Sequence, residues 1–215
     1  MVNISKVNSR YVVCLPWKNL SEKLNSNIEI AERRLYSLTN KLFKDNNKLI
    51  EYDIAIRELV QNGIEEQVND AKGEKTYYMP YKPVYRDDKV TTKTRIVFDA
   101  SSSEPEGLSL NEHLNSGDNL VADLLKTLLR FRLNKIAMTA DIEKAFLQIE
   151  VAANDRDALR FLWYERTPTS KFRRPKIVEY RMTRVTFGVT SSPFLLAATL
   201  RHHLNTSQQE YGEYG

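Results

Sequence analysis

The sequence predicts an α+β fold, and three observations carry that expectation. Apolar residues recur at helical spacing over roughly residues 28 to 61. From Ile64 onward the pattern switches to short β-branched or aromatic runs divided by polar, turn-forming stretches. The later order of helices and strands lacks the regular alternation of a wound parallel sheet.

Taken in order, Leu35, Leu38 and Leu42, then Ile50, Ile54, Leu59 and Val60, mark two consecutive helices from about Ile28 to Gln61. Gly63 follows where a left-handed C-terminal cap belongs. The runs IEEQV, TYYMPYKPVY and TRIVFD, between Ile64 and Asp99, read as a small antiparallel sheet with turns at NDAKGE and RDDKVTTK. Ala100 to Asp118 is rich in Ser, Gly, Glu and Asn and reads as a loop. Val121, Leu124, Leu125 and Leu128 then form one face of an amphipathic helix. KIAMTAD is expected as a short buried strand ending in an acid. After it come a short helix from about Glu143, a turn at AANDRD, strands near LRFLWY and KIVEYRMTRV, and a helix from about Ser192.

Composition limits the function classes. The 215 residues are 41% hydrophobic, enough to bury a substantial core. No apolar run reaches the roughly eighteen residues that a membrane-spanning helix needs. The start, MVNISKVNSRYVVCLPWK, lacks the apolar core and cleavage site of a signal peptide, so an intracellular protein is expected. The single cysteine, Cys14, makes no intramolecular disulfide, and three histidines with one cysteine give no zinc-spaced cluster. A net charge of +4 favours an anionic partner, but 32 basic against 28 acidic residues is a mixed surface rather than a basic tail. The group Lys171, Arg173, Arg174 and Lys176 suits a solvated hairpin tip, with contact to a nucleic-acid backbone as the alternative.

The segment most suggestive of chemistry is AMTADIEKAFLQIEV, in which an apolar stretch delivers Asp141 just ahead of a helical turn. Such an acid can serve phosphoryl transfer, where divalent metals clamp the attacking and leaving oxygens. Asp141 and the Ile142 carbonyl are oxygen donors of the kind magnesium takes. On the residues alone, an Asp before a helix is more commonly an N-cap, and Phe146 is explained equally well by core packing.

D-I-E-K-A-F-L-Q-I resembles the first catalytic motif of reverse transcriptases, an aspartate followed by a small residue and an aromatic. TTKTRIVFDASS resembles the fingers strand whose basic residues hold the triphosphate, with Arg95 the best match and Lys89 or Lys93 as a second contact. RVTFGVTSSPFLLAAT resembles the motif before the palm helix, in which Phe187 and Gly188 lie beside the nucleotide and Ser192 and Pro193 open the helix. Pro193 also fits a plain capping role. These motifs keep the family's order, and together with RYVVCLPWK and LRFRLNKIAM they resemble the BEL/Pao class of long-terminal-repeat retrotransposons over nearly the whole chain.

The resemblance implies a right-hand polymerase, with fingers and an incomplete palm preceded by a helical pair. Residues 1–27 would be a linker or N-terminal extension, 28–134 the helical pair and fingers-like region, and 135–215 the palm part. It implies that Asp141 is catalytic and binds Mg2+ with the Ile142 carbonyl, two metals being needed. Arg95 would grip the triphosphate, and Phe146 would exclude a 2′-hydroxyl by steric conflict. The implied partners are an RNA template, a DNA primer, deoxynucleoside triphosphates and the rest of a polyprotein, with no membrane. The implied locations are cytoplasmic particles and the nucleus.

Some positions depart from the pattern. Lys144 and Ala145 stand where many relatives carry an acid or methionine, and Phe187 stands where retroviral enzymes carry glutamine. The family's Y-x-D-D hairpin is expected after the last motif, yet the residues run through RHHLNTSQQEYGEYG to Gly215 without it. No protease triplet, ribonuclease H or integrase segment is present. One of three catalytic carboxylates therefore remains, and the isolated chain is expected to be inactive, with a remnant that only binds nucleic acid or a partner as the alternative. An unstable fold with an unpaired sheet edge is a third possibility. Tyr85, Arg86, Asp87 and Asp88 spell Y-x-D-D ahead of Asp141, the order of a permuted palm, but their place between two strand-like runs suits a turn.

Overall fold

A computed structural model describes residues 3–85 and 94–211, with side chains described through Ser207. The chain is a mixed α+β fold built from three small sheets and the helices around them. Strands β1 (Ile4–Val7) and β2 (Arg10–Val13) form an antiparallel hairpin, and β2 continues in parallel onto β6 (Glu150–Val151). Residues 1–27, read as an extension, thus contribute to a sheet. Asp155 anchors them further, accepting from the Leu15 amide at 2.7 Å and from Trp17 Nε1 at 2.8 Å.

The helical pair forms over the expected range, as α1 (Ile28–Leu42) and α2 (Asn46–Gln61). The expected Ile50 and Ile54 of α2 are exposed, and Leu49, Tyr52 and Ile56 face the core instead, because the aromatic Tyr52 packs there with Tyr81 and Trp163. Leu35, Leu38 and Leu42 are the buried stripe of α1. Asp45 caps α2 by accepting from the Lys48 amide at 3.2 Å. At the other end, Gly63 adopts φ +64°. The Ile64 amide reaches back to the Leu59 carbonyl and the Gly63 amide to that of Val60, the two bonds of a Schellman cap.

The expected single sheet over Ile64 to Asp99 is divided. Strands β4 (Tyr81–Tyr85) and β5 (Thr94–Phe98) pair as an antiparallel hairpin. Strand β3 (Glu65–Gln67) instead pairs with β8 (Ile177–Met182), which also pairs with β7 (Arg160–Tyr164). The physical reason is that β7 is buried at every position, so β8 needs a second neighbour for its outer backbone groups, and β3 supplies it. The aromatic core lies between these sheets and α2: Tyr52, Tyr81, Phe98, Phe161, Trp163 and Tyr180 pack with ring centroids 5.2 to 6.4 Å apart. Buried Asp53 is fully engaged there, accepting from Trp163 Nε1, Thr167 Oγ1 and Arg57 Nε within 2.8 Å.

The loop from Ala100 to Asp118 contains a short helix, α3 (Leu110–His113), opened by a reciprocal capping box between Ser109 and Glu112. Helix α4 (Leu124–Phe131) forms at the predicted leucines but buries none of them. KIAMTAD is not a strand: it has no ladder partner among the described residues, and Ile136 and Met138 are 83% and 89% exposed. A lone extended segment leaves its amides and carbonyls to water, so apolar character without a free sheet edge does not make a strand. The helix expected from Glu143 is a 3-10 turn, Ala145–Gln148, and AANDRD lies in another, Ala153–Leu159. Helix α5 (Ser192–Tyr211) begins at the predicted serine. No described helix is long and apolar enough to cross a membrane.

Candidate functional site

Strand β5 carries Arg95 on an exposed position and ends at buried Phe98. Just beyond, Asp99 accepts from Arg34 Nη1 at 2.6 Å, holding the strand end against α1. The turn containing Phe187 and Gly188 lies directly on this strand end. Gly188 has φ +94°, and a Cβ there would stand 2.2 Å from the Phe98 carbonyl oxygen, so no other residue fits without moving backbone.

Asn111 binds the same junction from a third side. Its amide nitrogen donates to the Gly188 carbonyl at 2.9 Å and to Ser101 Oγ at 2.7 Å, and its carbonyl accepts from the Thr190 amide at 2.8 Å. The Asn111 main-chain amide donates to the Ala100 carbonyl at 3.0 Å. One side chain therefore ties the end of β5, the start of α3 and the turn before α5.

Phe187, fixed by its neighbour Gly188, meets Phe146 edge to face with centroids 4.7 Å apart. Phe146 is held half-buried on the 3-10 turn, which Leu147 closes by donating to the Lys144 carbonyl at 2.7 Å, while Gln148 Nε2 donates to the Glu143 carbonyl at 3.0 Å. Lys144 begins that turn at φ +50°. Ser192 Oγ donates to the Thr186 carbonyl at 2.6 Å, tightening the other flank. Phe187 remains 55% exposed, so the aromatic pair forms an open ledge rather than core.

The three motifs read from the sequence thus converge in part. The end of the Arg95 strand, Gly188, Phe187 and Phe146 come together. Asp141 and Ile142 lie on an exposed segment with no secondary structure, and Asp141 forms no hydrogen bond or ion pair among the described residues. Lys89 and Lys93 lie outside the described residues, as do Arg86, Asp87 and Asp88 of the Y-x-D-D quartet, whose Tyr85 closes β4.

Among the described residues no group of three or more His, Cys, Asp or Glu could hold a metal ion. Asp141 and the Ile142 carbonyl offer suitable oxygens, but that pair alone is not a metal centre. The basic tip at residues 171–176 is solvent-exposed at all four basic residues, as a solvated tip would be, with Arg173 over the Phe43 ring at 5.2 Å and Arg174 over Tyr36 at 4.6 Å.

Asn111 was missed as a site residue because its neighbourhood reads as a polar loop. The S-L-N-E pattern at Ser109 to Glu112 is a capping-box signature that marks the helix start and brings Asn111 to its first turn. Two hydrogen bonds from Ser109 hold the Glu112 carboxyl below the usual carboxylate range. No family model matches the sequence, and no curated protein is significantly similar to it.

Proposed function

We propose that the chain is the fingers and partial palm of a reverse-transcriptase-like polymerase of the BEL/Pao retrotransposon class, whose task is to receive a deoxynucleoside triphosphate on a template and primer. The observation that supports this reading is the meeting of separate motifs: Gly188 on the Phe98 backbone and Phe187 on Phe146, joined through Asn111. Nothing in the linear sequence requires segments so far apart to meet on one ledge.

In this reading Arg95 pairs with phosphate oxygens through its planar guanidinium. The Phe146 and Phe187 ledge seats the sugar and rejects a 2′-hydroxyl by steric conflict. Magnesium belongs to the reading through Asp141 and the Ile142 carbonyl, but two metals need more carboxylates than these residues bring together. In this reading the described residues bind and orient substrates, and the two-metal step needs carboxylates besides Asp141. The isolation of Asp141 also favours a second reading, a remnant that binds template without selecting a nucleotide.

Fluorescence titration of the chain with dNTP and rNTP, in the presence of Mg2+ and template-primer, separates the two. The polymerase reading expects dNTP preference, lost in Phe146→Val, and binding weakened on the order of tenfold in Arg95→Ala. Salt-sensitive template binding with no nucleotide response to either variant would leave only the second reading.

A further inference from the structure

A cavity of about 800 Å³ opens between the C-terminal half of α1, the start of α2 and the β4–β5 hairpin. Its lining includes five cations: Arg34 and Lys41 from α1, Lys44 from the connection, Lys48 from α2 and Lys82 from β4. Two acids line it, and both are engaged. Asp99 is taken by Arg34 at 2.6 Å and the Ser101 amide at 3.2 Å, and Asp45 by its capping role and by Lys48 at 3.6 Å.

Lys41, Lys44 and Lys82 form no ion pair among the described residues. These three ammonium groups lie around one concavity, where they repel each other and raise the local concentration of anions. Tyr85 also lines the space, with Lys48 Nζ 5.1 Å from its ring centre.

From this geometry we infer that the cavity is an anion site for a chain of linked phosphates; it shares Phe98 and Asp99 with the strand end under Gly188, while Phe146 and Phe187 are not among its lining residues. A single monovalent anion cannot match cations spread over two helices and a strand, whereas linked phosphates can meet several at once. Arg95 is not among the lining residues, so the inference stands independently of the polymerase reading.

The test is calorimetric titration of the whole chain, with EDTA present to remove divalent metals, using sodium tripolyphosphate and then a short oligothymidylate. Saturable tripolyphosphate binding is expected, weakened on the order of tenfold or more by Lys41→Gln combined with Lys44→Gln. Lys82→Gln, in a different element, should weaken it in the same direction. Lys126→Gln with Arg130→Gln on exposed α4 should leave it unchanged. Displacement of tripolyphosphate by the oligothymidylate assigns the phosphates to a nucleic-acid backbone, and failure to displace assigns them to a free polyphosphate chain. Absence of saturable binding, or equal weakening by the α4 pair, overturns the site.

Discussion

Glu65 on β3 is 2% exposed, and among the described residues neither carboxylate oxygen has a hydrogen-bond partner, nor does the buried Tyr52 hydroxyl. Burial pushes the Glu65 carboxyl well above the usual carboxylate range, so it folds in its neutral form. A pKa raised on folding contributes stability that is fully present below the unfolded value, near 4.3, and is lost as pH rises through the folded value. Glu65→Gln keeps the shape and removes the titration. The variant should match the parent near pH 4 and exceed it at pH 8, by up to about 1.4 kcal/mol for each pH unit over which the unfolded chain has lost the proton that folded Glu65 keeps. Urea midpoints at the two pH values measure this, and an equal difference at both would refute a neutral Glu65. Gly188 makes the opposite kind of demand, on space rather than charge. Its φ is +94°, and an alanine methyl would stand 2.2 Å from the Phe98 oxygen. Gly188→Ala should therefore cost on the order of 2–4 kcal/mol, and an unchanged unfolding midpoint would mean that the turn does not rest on β5.

Strands β7 and β8 are held to each other, to β3 and to the 3-10 turn before β7 by ionic contacts that no single residue explains. Arg160, 1% exposed, donates to Asp157 at 2.9 Å and to Glu179 at 2.8 Å, while Arg181 donates to the same Asp157 oxygen at 2.8 Å and to Glu66 at 2.6 Å. Burial pushes Asp157 up, but its bonds from Arg181, the Gly73 amide and Arg160 outweigh that and hold it below the usual range. Arg160→Met should therefore cost about 1–3 kcal/mol at pH 7, because Asp157 and Glu179 each lose a charged donor, Asp157 keeping Arg181 and the Gly73 amide and Glu179 keeping the Tyr78 hydroxyl. A depressed pKa contributes stability that is present above the unfolded value and lost as pH falls through the folded one, so the cost should shrink in acid. Denaturant melts at pH 7 and pH 3.5 test both parts, and a cost independent of pH would assign Arg160 a packing role. At this scale the sequence was legible where an element carries its own signal. The α1 stripe, the extent of α2, the Gly63 cap, β7, β8 and the start of α5 follow from local spacing, but the inward face of α2 is Leu49, Tyr52, Asp53 and Ile56 rather than the expected Ile50 and Ile54. Partner choice was not legible. That β3 joins β8 rather than β4, and that KIAMTAD finds no edge, depend on which backbone groups are left open after the core forms, and periodicity carries no record of that. The candidate site divides the same way: Phe146, Phe187 and Gly188 stood out as motif residues, whereas Asn111 acts through three contacts distant in sequence.

Across the whole molecule the packed body and the segment from Val121 to Lys144 behave as different materials. The body encloses one aromatic core, whereas every residue of that segment is exposed, including Leu124 and Leu125 on α4 at 72% and 67%. Near its start, a bond from Arg201 to the Leu120 carbonyl at 2.8 Å ties it to α5. An eight-residue helix without tertiary contacts is marginal in water, because nucleation is costly and little packing compensates for it. Leu125→Gln with Leu128→Gln should then change global stability by less than about 0.5 kcal/mol, where a comparable pair in a core would cost several. Native-state hydrogen exchange gives the matching prediction: amides from Lys126 to Lys144 should exchange through local opening far faster than those of β7 and β8, which should open only with global unfolding. Asp141 lies within this exposed segment, so burial in the core does not fix its position. Strong protection of α4 in the isolated chain would instead mean that its leucine face is already covered in solution, and the same experiment repeated at several protein concentrations would show whether a second copy covers it.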